Sequence, residues 1–489
     1  MVQGETSFME QEKELRKEIF QKRWLIFLAV VLQTFINCVD SSSINVALPT
    51  VADELGVTMA SVEWVVTANT LVIICLILLF GKLGDTIGKD RIFKAGILVF
   101  MAGSLLCFFS RSFVMLLAGR VIEGIGSAAT MANNQGIIVQ TFPLHERGKA
   151  LGLSGSSVAL GSMMGPSLGG FIVSCFNWNA IFAMNIPVAL LCFALCCRYL
   201  PDMSTGKKEK TDVSGALRFM LLILCVYGSV KLLQAGASYY LYCLLLLAVA
   251  AVFIASFLRW ESRQAEALLD IHMFENKLFT VSVFCAFLSF FAIAGHNFIQ
   301  PFYLQKVQML NAAQTGLLMM AYSIAMGLVA PFSGYLSDKI GSEFLCFAGL
   351  CTVTVALLIL STLGMNSSLV VFLVGSMTMA VGMAMFQSPN TSLIMSTVGR
   401  HQTGVAGSIN ALARNLGIVF GISLSTVLLY NSMSGQLGYT VMSFVEGEEQ
   451  VFVTAMQWVY RFMAAISATG AILTGLRWKN RKEQKHGLD

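Results

Sequence analysis

The chain has 489 residues, of which 56% are hydrophobic and 12% charged, and its mean hydropathy is +0.73. A soluble domain carries about 25% charged residues, so this composition excludes an ordinary soluble protein. The net charge of +5 does not indicate a nucleic-acid partner, because the basic residues sit at the ends of apolar runs.

About 20 apolar residues cross a hydrocarbon core of ~30 Å. Fourteen such spans are read, at 24–49, 62–80, 92–110, 113–140, 149–174, 180–199, 213–234, 238–258, 279–303, 315–336, 344–363, 369–395, 403–430 and 452–477. No cleavable signal peptide is expected. The first run begins at Trp24, is too long for a signal h-region and opens a series of spans. Lys13, Arg16, Lys17, Lys22 and Arg23 precede span 1; Lys207, Lys208 and Lys210 follow span 6; Arg477, Lys479, Arg481, Lys482 and Lys485 follow span 14. The loop 431–451 holds no Lys or Arg and carries Glu446, Glu448 and Glu449. The positive-inside rule therefore predicts cytoplasmic termini, and the even span count agrees. All twelve cysteines lie in or beside spans, without a C-x-x-C pair. They read as free thiols, and neither a metal site nor a cofactor is expected.

In span 1, Gln33, Asn37 and Asp40 share one helical face by i, i+4, i+7 spacing. Asp40 lies nine residues before Pro49, and Arg120 of span 4 lies eight residues after Ser112. At ~1.5 Å per residue both sit about 12–13 Å below the same surface, so they can pair. Glu123, at i+3 from Arg120, competes for the same guanidinium. A buried charge in a bilayer costs at least ~2.5–3.5 kcal/mol, which makes each a functional candidate. Two carboxylates on one Arg can couple protonation to a conformational change. The alternative is a static ion-pair cluster that fixes helix register.

Span 5 contains Gly152, Gly161, Gly165, Pro166, Gly169 and Gly170. Small residues let two backbones approach, and a proline can set a kink. The span reads as one built to bend or slide against a neighbour, or as generic small-residue packing. In span 9, His296, Gln300 and Tyr303 repeat the spacing of span 1, and Asn134, Gln387, Asn390, Asn410 and Arg414 add polar groups on spans 4, 12 and 13. They either line a substrate cavity or make interhelical hydrogen bonds worth ~0.6 kcal/mol each. A lone membrane His is also read as a packing residue.

The chain repeats itself. GKLGDTIG at 81–88 recurs as GYLSDKIG at 334–341, and Ala150, Gly161 and Gly165 recur as Ala406, Gly417 and Gly421, as Asn134 does in Asn390. The expected organisation is a cytoplasmic tail 1–23, a six-helix bundle 24–200, a cytoplasmic linker 201–212, two inserted helices 213–258, a second linker 259–278, a second six-helix bundle 279–478 and a tail 479–489.

These stretches resemble the major facilitator superfamily, and more narrowly its fourteen-span drug:proton antiporters. The resemblance covers all fourteen spans and their order. Every Gly and Pro of the antiporters' fifth-helix motif is matched in GLSGSSVALGSMMGPSLGG, 152–170. GKLGDTIGKDR supplies Gly81, Gly84, Asp85, Gly88, Lys89 and Arg91; RVIEGIGSAA supplies Arg120, Gly124 and Gly126; VDSSSINVALP supplies Asp40, Asn45, Ala47 and Pro49. FQSPNTSLIM of span 12, with Arg414 and Gly417, also matches. The resemblance implies that the loop after span 2 latches one conformation closed, with Asp338 as its counterpart in the second half. Asn69 stands where many relatives carry Tyr, and Glu123 where the family has an amide. Spans 13 and 14 lack the embedded acids of some polyspecific exporters, which argues against dicationic substrates.

The expectation is an all-α polytopic membrane protein: two pseudo-symmetric six-helix bundles plus two inserted helices, fourteen transmembrane helices in all. It would act as a monomer in the lipid bilayer of the cell membrane. By alternating access it would export a small amphipathic or hydrophobic compound, such as a drug, in exchange for protons. No G-x-x-x-x-G-K-S/T loop and no catalytic constellation is present in the sequence, so an enzyme is not expected. One rival is a dedicated exchanger or uptake carrier for one metabolite, which would leave Arg120, Arg414 or Arg461 free for substrate. Another is a non-transporting sensor or scaffold. A sensor would carry an added soluble domain, for which tails of about 23 and 12 residues are too short.

Overall fold

The computed structural model describes residues 2–202, 212–234, 239–264, 271–398 and 403–486. Among them the chain forms fourteen long helices and no strand. Lipid offers no water to a peptide group, so a spanning segment must bond its own backbone, and a helix does this. The helices are α1 (Val2–Leu55), α2 (Met59–Ile87), α3 (Lys89–Phe108), α4 (Phe113–Thr141), α5 (Leu144–Cys175), α6 (Ala180–Tyr199), α7 (Val213–Gln234) and α8 (Tyr240–Glu261). After them come α9 (Lys277–Phe302), α10 (Ala312–Ile340), α11 (Ser342–Leu360), α12 (Leu369–Ser396), α13 (Thr403–Leu437) and α14 (Glu449–His486). Thirteen hold an apolar segment long enough to cross a bilayer, and α5 holds the shorter apolar stretch Leu160–Cys175. Each expected span falls on one helix, and α1, α2, α13 and α14 run beyond their expected bounds by seven residues or more. The terminal segments differ from the expected tails: α1 runs back to Val2 and α14 runs on to His486. Both extensions are rich in Glu, Lys, Arg and Gln, which are good helix formers.

Polar caps set the helix starts. Thr58, Ser112, Asn276 and Ser368 each accept a backbone N–H of their first turn, and Asn311 forms a capping box with Gln314. At the α2–α3 turn Gly88 has φ +118°, and its counterpart Gly341 between α10 and α11 has φ +95°. Side chains avoid this backbone region, so each turn requires its glycine.

The duplication is structural. In the first half α3 packs on α4, α1 on α5, α2 on α4, and α6 on both α3 and α1. In the second half α11 packs on α12, α9 on α13, α10 on α12, and α14 on both α11 and α9. The close contacts repeat too. A Cβ on Gly96 would lie 3.0 Å from the Gly126 carbonyl, and one on Gly349 2.8 Å from the Gly382 carbonyl. The inserted pair α7–α8 packs through α7 along α2 and α13.

The halves are closed against each other at the face that carries the α1–α2 turn. There Ile44, Val51 and Val62 join Phe298, Phe302 and Tyr303 in one apolar cluster. Gln305 Nε2 donates to the Val46 carbonyl at 2.9 Å, and Lys306 pairs with Asp53 at 2.6 Å. Toward the face that carries the termini, the apolar clusters belong to one half each. The exception is a cluster wedged along α7, where Leu71, Phe219 and Val419 meet.

α5 is continuous through Pro166 and has two small faces. Gly161, Gly165 and Gly169 lie against α1: a Cβ on them would meet the Phe35 carbonyl at 2.7 Å, the Val39 carbonyl at 2.9 Å and the Ser43 carbonyl at 2.6 Å. Gly170 and the Pro166 carbonyl lie against Gly316 and Ala312 of α10, in the other half. Proline has no N–H, so the Ser162 carbonyl one turn back loses its helical donor. Ser323 Oγ of α10 supplies one at 3.1 Å. The surroundings of Gly152 lie outside the described residues.

This packing separates glycines that need their bareness from one that does not. Gly165→Ala should destabilise by about 1–3 kcal/mol, since its Cβ would enter backbone. Gly81 has open space around its Cβ position, so Gly81→Ala should leave stability unchanged or raise it by up to ~1 kcal/mol. Thermal unfolding in detergent measures both; equal effects would contradict the assignment.

Candidate functional site

The first half encloses a charge cluster built from five helices. Arg120 Nη1 on α4 donates to Asp40 Oδ2 on α1 at 2.8 Å and to Glu123 Oε2, one turn on, at 2.6 Å. Its Nε donates to the Val65 carbonyl of α2 at 2.8 Å. Asn185 on α6 donates to Asp40 Oδ1 at 2.8 Å and to Glu123 Oε1 at 3.2 Å. Ser104 on α3 donates to Glu123 Oε1 at 2.6 Å. Asp40, Arg120 and Glu123 are 2%, 1% and 0% exposed, so water does not share their neutralisation. Gly103 of α3 helps place Glu123: its missing Cβ leaves room for the Glu123 Cα, which would otherwise sit 2.7 Å away.

The equal-depth argument for Asp40 and Arg120 thus holds, and Glu123 takes a second place on the same nitrogen. Two carboxylates face one guanidinium. Fully ionised, the cluster carries one excess negative charge; a single added proton neutralises it and leaves Arg120 paired. Helix packing holds the donors in place around both carboxylates.

The polar stripes divide. On α1, Gln33 donates to Asn37 at 3.1 Å, and Asn37 reaches Thr130 of α4 at 3.4 Å. Asn134 of α4 bonds Thr34 of α1, and its repeat partner Asn390 donates to the Ser282 carbonyl of α9 at 3.0 Å. These four residues tie helices together inside each half. The stripe on α9 turns toward its own half. His296 Nδ1 meets Tyr460 Oη of α14 at 3.0 Å, and Nε2 lies 3.5 Å from Ser376 Oγ of α12. Gln300 donates to Asn297 at 3.2 Å, and Tyr303, just beyond α9, donates to the Gly364 carbonyl at 2.9 Å. Gln387 and Asn410 are half-buried.

Arg414 on α13 differs from Arg120. It has no acidic partner among the described residues; its guanidinium lies 5.8 Å from the centre of the Phe290 ring. It lies near Cys38 of α1, in the opposite half. Arg461, about a third of the way along α14, lies over Trp458 on the exposed surface.

In the turn after α2, Asp85 pairs with Lys89, whose stem fills the space beside Gly136 of α4. Arg91 pairs with Asp202 at 2.5 Å. Gly84 is helical and receives the Asn133 side chain against its Cα. Of this motif's glycines Gly88 makes the turn. The Asp338 side chain lies outside the described residues.

Sequence reasoning passed over Asn185, Ser104 and a further buried acid, Glu63 of α2. Asn185 and Ser104 are ordinary polar residues with no spacing signal. Glu63 lies at the edge of the span read as 62–80, where the buried-charge argument applied to Asp40 does not single it out.

Removing the planar guanidinium should be severe. Arg120→Lys loses the Nε bond to Val65 and cannot hold two carboxylates from one flat group. It should lower transport at least tenfold and destabilise the protein by about 2–4 kcal/mol, read by vesicle uptake and thermal unfolding. A variant with wild-type transport would remove this cluster from the working site.

The sequence matches the family model described as Major Facilitator Superfamily over residues 30–422 and 282–488. It is 30% identical to the riboflavin transporter RibZ of Clostridioides difficile (strain 630) over 461 residues, 93% of this chain and 97% of the relative. It is 28% identical to the multidrug resistance protein Stp of Mycobacterium tuberculosis (strain ATCC 25618 / H37Rv) over 415 residues, 84% and 77% of the two chains. Its fold is similar to the crystal structure of a D-xylose–proton symporter, with a TM-score of 0.65 at 15% identity, covering 92% of this chain and 97% of the symporter. Twelve helices in two repeated bundles with an inserted pair, an enclosed charge cluster and these matches agree: the chain belongs to the major facilitator superfamily of membrane transporters.

Proposed function

We propose that the protein is a proton-coupled exporter of a small amphipathic or hydrophobic compound, working by alternating access as a monomer. The observation that carries this reading is the shared guanidinium: Asp40 and Glu123 both end on Arg120 Nη1, out of contact with water. A site with one excess carboxylate has a reason to take up one proton. Protonating Asp40 would weaken its tie from α1 to α4 and α6, and the helix positions would shift with it. The proton gradient can supply the energy, since one charge crossing 100 mV yields ~2.3 kcal/mol. The name of Stp supports a drug as cargo. Gly161, Gly165, Pro166, Gly169 and Gly170 would form the moving contact, and the Asp85 turn with Asp338 the latch.

Arg414 favours a second reading, a carrier for one metabolite. It is the cation of the three considered that neither an acid nor the protein surface occupies, and it faces the other half. An anionic or electron-rich flat substrate would satisfy it, and the name of RibZ supports such a dedicated carrier. On this reading Gln387, Asn410 and Arg414 contact substrate. The residues Gln33, Asn37, Asn134, His296, Gln300, Tyr303 and Asn390 act by holding helices.

The coupling test compares two neutral isosteres. An amide keeps the shape of a carboxyl group and removes its titration. Asp40→Asn should abolish substrate-driven proton movement and accumulation in inverted vesicles, while energy-independent exchange survives. Glu123→Gln should do less; the reverse order would make Glu123 the carrier, and full pH-driven transport in both would refute coupling at this cluster.

Orientation is tested separately. With cytoplasmic termini, a tag in 431–451 should label from outside intact cells, and one in 201–212 only after permeabilisation. The α1–α2 face, where the halves are joined, would then be the outer one.

A further inference from the structure

A second embedded acid lies apart from the Arg120 cluster. Glu63 is 0% exposed and sits one turn into α2. Three parts of the chain converge on it. Lys231 of the inserted helix α7 places Nζ 2.8 Å from Oε2. Ser423 of α13, in the second half, donates to Oε1 at 2.5 Å. Tyr227 of α7 braces the group, its hydroxyl 3.3 Å from Ser423 Oγ and 3.2 Å from Thr67 Oγ1 of α2. Among the described residues the titratable groups facing Glu63 are Lys231 and Tyr227 from α7 and Tyr430 from α13, whose buried hydroxyl has no hydrogen-bond partner among them. Trp64 of α2 lies 5.2 Å beneath Lys231 Nζ.

This carboxylate stands on the joint between the halves, near the face where they are closed. A transporter that opens this face must part α2 from α13, and the Ser423–Glu63 bond must then break. The ionised carboxylate opposes that parting, because Lys231 holds it from α7, which packs on both helices. A proton on Glu63 cancels the attraction to Lys231. It also turns one oxygen from an acceptor into a donor, so the pull on the Ser423 hydroxyl weakens. Lys231 is three residues from the end of α7 and keeps a partly exposed side chain, so its ammonium can turn to water when released.

We propose that Glu63 is a second proton-binding site, and that its ionised form, bridged by Lys231, clamps the α1–α2 face shut. The inserted pair α7–α8 thereby carries the counter-charge that ties both halves together. The site depends on alternating access but not on Asp40 being the coupled acid.

The proposal is tested by distance measurement with electron paramagnetic resonance on the full chain in nanodiscs, with the exposed Cys175 and Cys197 replaced by Ala. Spin labels at Arg111 and Tyr439, both exposed, span the closed face; labels at Ile87 and Ile340 span the opposite one. The unsubstituted site should show the short distance across the closed face at high pH and a growing long-distance population as pH falls. Glu63→Gln should show the long distance as the major population at every pH. The charge-balanced Glu63→Gln/Lys231→Met should behave alike, which covers the case in which the single variant folds poorly. A Glu63→Gln or double variant that keeps the unsubstituted protein's pH response overturns the proposal. If the Ile87–Ile340 pair still exchanges between two distances in that case, alternating access stands and only the clamp falls.

Discussion

Hydrocarbon gives a polar group no second chance. Whatever the protein does not bond inside a bilayer stays unbonded, at several kcal/mol per group. This constraint explains why the few charges of a chain with 12% charged residues are gathered rather than scattered. Arg120 is matched by two carboxylates, a carbonyl and an aromatic face, Phe182, 5.7 Å from its guanidinium. Glu63 is matched by an ammonium and a hydroxyl. Even a single carbonyl freed by Pro166 is met by Ser323.

Such matching is rarely a source of net stability. Burying an ion pair costs about as much as the attraction returns, whereas deleting one member leaves a stranded charge. The value of these clusters lies in what they join. Asp40, Val65, Ser104, Arg120 and Asn185 come from five helices of one half, so they make that half a rigid unit. Glu63, Lys231 and Ser423 come from both halves and the insert, so they act on the relation between units. One carboxylate cluster thus lies inside a half and the other on the joint.

The sequence made the large features legible for plain reasons. Apolar length fixed the spans, because the bilayer thickness is the same for all of them. The recurrence of GKLGDTIG and GYLSDKIG revealed the duplication, because both copies need a glycine at the same positive-φ turn. Asp40 and Arg120 could be paired from depth alone, since each is counted from a helix end. Direction around the helix was harder to read. His296, Gln300 and Tyr303 share a face, but spacing does not say which neighbour that face meets: His296 meets α12 and α14, Tyr303 meets the loop after α11, and Gln300 bonds Asn297 of its own helix. Asn185 and Ser104 escaped because an isolated amide or hydroxyl carries no pattern. Glu63 escaped because it lies close to a span end, where an acid looks solvated; α7 and α13 bury it.

The contact of Gly170 and Pro166 with Gly316 and Ala312 has a mechanical consequence. Most helix pairs interlock by side chains seated between one another, and to shift them is to unseat rotamers one by one. Here backbone lies on backbone, with no knob to lift from its hole. In the proposed cycle the contact would serve as a plain bearing rather than a gear. Backbone on backbone would keep van der Waals attraction through a stroke and present few barriers along it. A single added methyl on this surface would meet backbone, 2.5 Å from the Ala312 carbonyl if carried by Gly170, and the two helices would have to stand further apart.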